Sequence, residues 1–103
     1  MPKGYVIFTE DIQDHAGISV YAQQAVPTII QAGGRILVVD DAPELIEGSW
    51  HGKRTVVLEF DSVEAARNWH RPPEHQGLAG LRHAAADSNA SDRRGLRVAD
   101  RLT

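Results

Sequence analysis

The chain has 103 residues, of which 42% are hydrophobic and 24% are charged, as in an ordinary globular domain and unlike a disordered or fibrous protein. It has no cysteine, which excludes a disulfide scaffold, thiolate zinc and a cysteine nucleophile, and is compatible with a reducing cytoplasm. The net charge of −3 offers no basic surface to a nucleic acid backbone. Because no apolar run approaches the roughly 20 residues of a membrane helix and no signal-peptide pattern is present, we expect a cytoplasmic protein with neither a membrane nor a nucleic acid partner.

The first third of the chain predicts a strand followed by an amphipathic helix. Residues 3–9 alternate as in a strand with both faces at least partly covered. Residues 10–14 are predicted to turn the chain, and Asp14 is placed to cap a helix. Pro27 lies inside the helical pattern and is expected to kink the helix or to end a first segment, and Gly33 to stop it. The buried stripe of this helix is predicted to contain Ile18, Tyr21, Ala22, Ala25 and Ile29.

Two further strands are predicted in the middle of the chain. Residues 34–40 form one of them, and residues 44–48 are a candidate for a short edge strand between two turns. Residues 54–60 carry β-branched or apolar side chains on both parities, which is typical of a central strand. Glu59 is informative, because a carboxylate on so apolar a strand must be paired, solvated in a cavity or functional.

The last part of the chain predicts an interrupted helix and a final strand. Residues 61–64 supply an N-cap with an acid close behind it, and the helix that follows presents Val63, Ala66 and Trp69 inward. Prolines at positions 72 and 73 must end that helix, and the second of them suits the start of a new helix that runs to about residue 86. Residues 87–92 are predicted to be a polar loop, and the weak alternation of residues 93–100 to be a last strand with a frayed end.

The order strand, helix, strand, strand, helix, strand predicts an α+β, ferredoxin-like βαββαβ fold, with a four-stranded antiparallel sheet and the helices on one face. Residues 1–103 would form a single domain whose ordered core covers about residues 3–87. The face toward the helices would carry Val6, Phe8, Ile36, Val38, Val56, Leu58 and Phe60. Since the opposite face is half apolar, we expect the sheet of a second copy to cover it. That face would carry Tyr5, Ile7, Thr9, Arg35, Leu37, Val39, Thr55, Val57 and Glu59.

An ordered series of short motifs also resembles a known family of small bacterial proteins. The motifs are Lys3-Gly4-Tyr5, Tyr21 with Pro27, Gly33-Gly34-Arg35, Glu44 to Gly48, Glu59-Phe60 with Ser62, Glu64-Ala65-Ala66, Trp69, Pro73-Glu74 and Arg82. Together they resemble domain of unknown function 1330 (DUF1330), in the dimeric α/β-barrel superfamily. The resemblance implies a ferredoxin-like fold whose two sheets pack into a barrel across a dimer, and it implies no established reaction. Where the family has a Ser-Pro-Glu-Tyr segment, this chain has His75 in place of the tyrosine.

Arg35 and Glu59, with Tyr5 near them, are the first candidate ligand-binding residues. The pair would lie on the covered face of the sheet, where it could bind a polar ligand in a cavity. It could equally be a buried ion pair that fixes the register of the dimer, and this structural interpretation is the favoured one.

Trp69 and Arg82 are the other candidate ligand-binding residues. Trp69 could be a platform for a ligand, although tryptophan at such a position is more often a core or interface anchor. Arg82 would either tie its helix to Glu47 or Glu59 across the sheet, or bind an anion.

Among the histidines, His75 is a candidate general base beside Glu74, and Glu59 is the other catalytic candidate. Adjacent helical residues point about 100° apart, so His75 and Glu74 are not expected to form a dyad. A surface or interface histidine is the favoured interpretation, because such positions are ordinary for histidine. His70, His75 and His83 do not share a helical face across the proline break, so we predict no metal site, and we expect no cofactor.

Two functional hypotheses follow. The first is an uncharacterised homodimer that binds a small organic acid or aromatic metabolite next to the sheet. The alternative is a cofactor-independent enzyme, similar to the monooxygenases and isomerases of the superfamily. In that enzyme Arg35 or Arg82 would pair with the substrate carboxylate, and Glu59 or His75 would move a proton. Analogy of fold alone supports the enzyme, and such analogy is poor evidence for chemistry.

Overall fold

The protein is described here by a computed structural model that covers residues 2–71 and 73–96, except for the side chains of residues 73–76. Four strands and three helices follow one another as β1 (Gly4–Ile12), α1 (His15–Gln31), β2 (Arg35–Asp40), β3 (Arg54–Phe60), α2 (Val63–His70), α3 (Pro73–Ala85) and β4 (Ala86–Arg94). The strands form one antiparallel sheet in the order β2-β3-β1-β4. The predicted ferredoxin-like fold is therefore confirmed. Within the described residues, no helix is both long enough and apolar enough to cross a membrane.

Helix α1 forms where the sequence places an N-cap followed by an apolar stripe. The Asp14 carboxylate accepts the backbone N–H of Gly17 at 3.0 Å, which satisfies one of the free donors of the first turn. Four of the five residues of the predicted stripe are buried, namely Ile18, Tyr21, Ala25 and Ile29. The helix continues through Pro27 to Gln31, so the proline does not divide it.

The second helical region is interrupted as predicted. The Ser62 hydroxyl accepts the backbone N–H of Ala65 at 3.0 Å and so caps α2. This helix ends at His70, and Pro73 begins α3. A core cluster lies between the sheet and the helices and contains Val6, Phe8, Ile29, Leu58, Phe60, Ala66 and Trp69. We call the helix-facing side of the sheet the inner face, and the side that carries Tyr5, Ile7, Val57 and Glu59 the outer face.

The last strand differs from its prediction. The stretch 87–92, predicted to be a loop, lies inside β4, which pairs with β1 from Ile12 opposite Ala86 to Gly4 opposite Arg94. The predicted strand over residues 93–100 is thus wrong in position, and residues 97–100 lie outside the described part of the chain. Polar residues with low strand propensity form a strand here because β1 supplies a full ladder of backbone hydrogen-bond partners.

Two smaller predictions about the chain path are also corrected. Strand β1 runs on to Ile12, so residue 10 belongs to the strand and not to the predicted turn. The predicted edge strand over residues 44–48 does not form, and this stretch is irregular. Its apolar side chains Leu45 and Ile46 are 53% and 88% exposed, so no packing on this chain drives a strand there.

A bulge in β2 reverses the predicted faces of two valines. Ile36 pairs with Leu58 on β3, but the register then shifts, so that Val38 pairs with Val57 and Val39 with Val56. An extra residue in one strand reverses the alternation beyond it. Val38 therefore belongs to the outer face and Val39 to the inner face, opposite to the strict alternation that the sequence suggests.

Candidate functional site

Arg82 lies between the helices and the inner face of the sheet and is only 6% exposed. Arg82 lies on α3, and its guanidinium extends between α1 and β4. There it forms contacts with two hydroxyl groups and one imidazole. Nη1 donates to the Tyr21 hydroxyl at 3.1 Å, and Nε donates to Ser88 Oγ at 3.2 Å. Nη2 lies 3.2 Å from His83 Nε2. The predicted ties from Arg82 to Glu47 or Glu59 are absent from these contacts.

Aromatic rings complete the surroundings of the guanidinium. Its central carbon lies 4.7 Å from the centroid of the Phe8 ring and 5.4 Å from that of Tyr21. A desolvated contact of this kind contributes about 2 kcal/mol. Among the described residues, no carboxylate lies within salt-bridge distance of Arg82. The charge of Arg82 is therefore held by neutral hydroxyls, an imidazole and aromatic faces.

Two cavities meet at Arg82. One, the β4 cavity, has a volume of about 200 Å³ and lies between β1, β4, α2 and α3. The other, the α1 cavity, has a volume of about 110 Å³ and lies between α1 and the inner face. Phe8, Trp69 and Arg82 line both. Since typical ligand pockets measure roughly 300–1,000 Å³, only a small molecule would fit here.

Glu10 is a buried acid on the wall of the α1 cavity, and it is only 4% exposed. Burial raises the pKa of its carboxyl group, while the charges of Arg54 and Arg82 oppose this shift. Burial likewise raises the pKa of the Tyr21 hydroxyl, so this group stays neutral and accepts from Arg82. Glu10 is not among the predicted site residues, because residues 10–14 are predicted to turn the chain. Continuing the alternation of Val6 and Phe8 by one step would have found it.

The outer face carries the second group of polar residues. The Tyr5 hydroxyl donates to Glu59 Oε2 at 3.0 Å, and Arg35 Nε donates to Glu59 Oε1 at 2.7 Å. Arg35 Nη2 also donates to Asp61 at 3.3 Å. The hydrogen bonds from Arg35 and then Tyr5 lower the pKa of Glu59, and the bond to Glu59 raises the pKa of Tyr5. Arg35 and Glu59 thus form a closed pair, and neither lines the β4 cavity or the α1 cavity.

The predicted ligand-binding residues therefore form two groups on opposite faces of the sheet. Tyr5, Arg35 and Glu59 lie together on the outer face, whereas Trp69 and Arg82 lie together on the inner side. The Trp69 ring packs on Phe60 with the ring centroids 5.6 Å apart and is part of the core, while its edge also lines both cavities.

The catalytic and metal predictions involve residues that are only partly described. His75 belongs to α3, but its side chain and that of Glu74 lie outside the described residues. In the described part of the chain, no three His, Asp or Glu side chains converge on a position that could hold a metal ion.

The sequence of this chain matches a known protein family. A sequence profile described as "Domain of unknown function (DUF1330)" matches residues 3–91. The chain belongs to the DUF1330 family. No curated protein matches its sequence.

Solved structures share the fold of this DUF1330 protein. A protein of unknown function from Rhodopseudomonas palustris is 16% identical and matches with a TM-score of 0.76, over 93% of this chain and 84% of its own. SnoaB, a cofactor-independent oxygenase from Streptomyces nogalater, is 10% identical with a TM-score of 0.67, over 98% and 100% of the two chains. A dimeric ferredoxin-like protein of unknown function from Thermobifida fusca is 12% identical with a TM-score of 0.50, over 90% and 91%. Identities this low show a shared fold and no more.

Proposed function

We propose that this DUF1330 protein is a cytoplasmic homodimer that binds a small organic acid with an apolar or aromatic part. The acid would lie in the β4 and α1 cavities, with its carboxylate on Arg82. One observation carries the proposal, namely a buried guanidinium at the junction of two cavities whose hydrogen-bond partners among the described residues are two hydroxyls and an imidazole.

A buried positive charge is costly unless a counter-charge or a set of hydrogen bonds compensates it. The buried carboxyl group near Arg82 is that of Glu10, whose pKa burial raises, so it is a weaker counter-ion than an exposed acid. Within the described part of the chain, three of the five N–H donors of Arg82 have the partners given above, and the other two are open to a ligand. A carboxylate would supply both the missing charge and the missing acceptors, since arginine binds carboxylates in bidentate geometry.

The lining of the cavities suggests the rest of the ligand. Around Arg82 the walls of the β4 cavity carry the apolar and aromatic side chains of Val6, Phe8, Trp69 and Ala90, beside a polar side formed by His70, Ser91 and Asp92. Such a surface favours a short aliphatic chain or a single aromatic ring. A fixed cation beside a small apolar wall suits a compact monocarboxylate whose apolar part lies away from Asp92.

The test is a comparison of benzoate with benzamide, which has nearly the same shape and no charge. Binding to the folded protein alone raises stability by about 2.7 kcal/mol when the ligand is at 100 times its Kd. We expect benzoate to raise the melting temperature and benzamide to have little effect. Arg82→Gln should abolish the shift, and Arg82→Lys, which keeps the charge but not the planar fork, should weaken benzoate binding by calorimetry at least tenfold.

Arg35→Gln is the matched control, because it removes an arginine from the outer face and leaves the cavities intact. It should retain the benzoate shift. Equal effects of benzoate and benzamide would contradict the proposal. Loss of the shift in Arg35→Gln but not in Arg82→Lys would move the site to the outer face, where Tyr5, Arg35 and Glu59 would be the ligand-binding residues.

The homodimer is supported by the apolar character of the outer face. Ile7 and Val57 are cross-strand partners at its centre and are only partly buried by the single chain. At its β2 end Val38 and Trp50 are 40% and 54% exposed. Exposed apolar patches of this kind commonly mark an interface, and a twofold dimer would bury the same patch from both copies. The structural neighbour from Thermobifida fusca is itself described as dimeric.

Light scattering tests the dimer, since its mass should be twice the 11.3 kDa of one chain. Val57→Glu should reduce the mass to that of a single chain, because two carboxylates would be buried across the interface. Ile30→Glu is the matched control, because Ile30 is 65% exposed on α1, away from the sheet. A single-chain mass for the unmodified protein, or dissociation by Ile30→Glu alone, would refute this interface.

The second candidate is a cofactor-independent enzyme. It is supported by the fold shared with an oxygenase described as cofactor-independent, and by the titratable groups Glu10 and Tyr21 beside Arg82. A role for Glu59 in proton transfer would require a substrate on the outer face, and a role for His75 remains a prediction. Dioxygen consumption in the presence of small phenolic acids would distinguish this enzyme from a binding protein.

A further inference from the structure

His70 and Asp92 form a pair on the wall of the β4 cavity, which the proposed binding role does not use. His70 is the last residue of α2, and Asp92 lies on β4 opposite Val6, on the inner face. His70 Nε2 lies 2.9 and 3.0 Å from the two carboxylate oxygens of Asp92. Both side chains line the same cavity as Arg82, and they are 36% and 27% exposed. They are therefore open to a bound molecule.

The pairing sets the chemistry of the imidazole. A carboxylate can only accept hydrogen bonds, so Nε2 carries a proton, and Nδ1 is the atom of the ring that can act as a base. Among the described residues, no hydrogen bond to Nδ1 is formed. A histidine whose tautomer is fixed by a carboxylate, with its other nitrogen unoccupied beside a cavity, has the arrangement of a general base.

We infer that His70, positioned by Asp92, removes a proton from a small 2-oxo acid whose carboxylate is held by Arg82. The inference rests on the proposed function, since Arg82 must bind the acid. A 2-oxo acid is the class that fits, because its carbonyl group makes the neighbouring C–H acidic without any further reactant. Its carboxylate meets the guanidinium, and its short tail meets the apolar wall.

The proposed step is an enolisation. The C–H bond next to the carbonyl breaks, its proton moves to His70 Nδ1, and its electron pair forms the C=C bond of the enolate while the carbonyl electrons move to oxygen. The proton returns from the imidazolium to oxygen or to carbon, which restores the neutral histidine. The remaining N–H donors of Arg82 and the Tyr21 O–H are the local groups that could stabilise the enolate oxygen.

The experiment follows exchange of the C3 hydrogens of 2-oxobutanoate for deuterium by proton NMR, in D₂O. We expect the unmodified protein to accelerate exchange above the buffer rate, with a pH profile that follows deprotonation of one group. His70→Gln should reduce this acceleration at least 100-fold, in the usual range for loss of a general base. Asp92→Asn should reduce it by a smaller factor and change the pH profile, because the amide no longer fixes the tautomer.

A second histidine and aspartate pair supplies the matched control. His51 Nε2 lies 3.4 Å from Asp87, and its Nδ1 lies 2.9 Å from Thr9 Oγ1 on the outer face. His51→Gln should leave exchange unchanged. Benzoate binding, measured in parallel on every variant, reports that the fold and the Arg82 site are intact.

The outcomes separate the inference from the proposal on which it rests. Benzoate binding without accelerated exchange would overturn the proton-transfer role alone, as would equal exchange rates for His70→Gln and the unmodified protein. No binding of any acid and no exchange would overturn both. Exchange that needs His70 but is unaffected in Arg82→Lys would support His70 as the base and overturn the role of Arg82 in binding the carboxylate.

Discussion

Gly52 holds the irregular segment after β2 against the strand that carries Glu10. Its φ angle is +71°, and a Cβ atom at this position would overlap the backbone oxygen of Glu10. Gly48 has nearly the same backbone conformation, with φ of +75°, but a Cβ there has no neighbour within 4 Å. The two glycines therefore separate the cost of a left-handed backbone from the cost of steric overlap.

The left-handed conformation costs a residue with a Cβ about 1 kcal/mol, and both alanine variants should lose that much stability. Gly52→Ala must in addition displace the β1 backbone at Glu10, which disturbs the 3.1 Å hydrogen bond from Lys53 N–H to the Glu10 carbonyl. That bond contributes about 0.5–1.5 kcal/mol, and the overlap adds strain, so we expect a total loss of about 2–4 kcal/mol.

Urea unfolding followed by far-UV circular dichroism measures this difference, provided that all variants are compared at one protein concentration. For a domain of this size each kcal/mol corresponds to a change of about 4–8 °C in the melting temperature. Stabilities of Gly48→Ala and Gly52→Ala that agree within about 0.5 kcal/mol would refute the close approach of residue 52 to β1.

Three further predictions concern titration and a buried hydrogen bond. The pKa of Glu10 is raised in the folded state, so its contribution to stability is present below the unfolded pKa near 4.5 and is lost as the pH rises through the folded pKa. Glu10→Gln should therefore be more stable than the unmodified protein at pH 7 and equal to it near pH 4. The pKa of Glu59 is lowered in the folded state, so its contribution to stability is present above the unfolded pKa near 4.5 and is lost as the pH falls through the folded pKa. Acid unfolding of Glu59→Gln, followed by circular dichroism, should therefore depend less steeply on pH than that of the unmodified protein. Thr28→Val removes the hydroxyl that accepts the Trp69 indole N–H at 3.0 Å, and urea unfolding should show a loss of about 1–3 kcal/mol together with altered tryptophan fluorescence.

The order of elements could be predicted from the sequence because each one has a strong local signal. Asp14 and Ser62 cap helices, and the apolar alternation around Leu58 marks a central strand. Strand β4 could not be predicted in this way, because its pairing with β1 is a long-range interaction that overrides the low strand propensity of its polar residues. The bulge after Ile36 is likewise set by pairing with β3, and local alternation does not reveal it.

The candidate site was only partly predictable for the same reason. Arg82 and Trp69 were found as unusual side chains on helices, but nothing local shows that β4 brings Ser88 to Arg82 or Asp92 to His70. Arg35 and Glu59 do lie together, as β2 and β3 pairing requires. Their location on the outer face separates them from the cavities. Predicting the site therefore requires both the pairing of the strands and the face of the sheet on which each residue lies.

The small side chains of β4 have a consequence for how such a protein can change over evolution. Ala90 and Ser91 line the β4 cavity, while the fully buried core residues Val6, Leu58 and Phe60 belong to β1 and β3. Part of the wall that limits the ligand is therefore formed by small side chains outside the main core, opposite the core residues Val6, Phe8 and Trp69. Replacements such as Ala90→Val could reshape the ligand preference at small cost in stability, which would let relatives with this fold diverge in the molecules they accept while the rest of the architecture stays fixed.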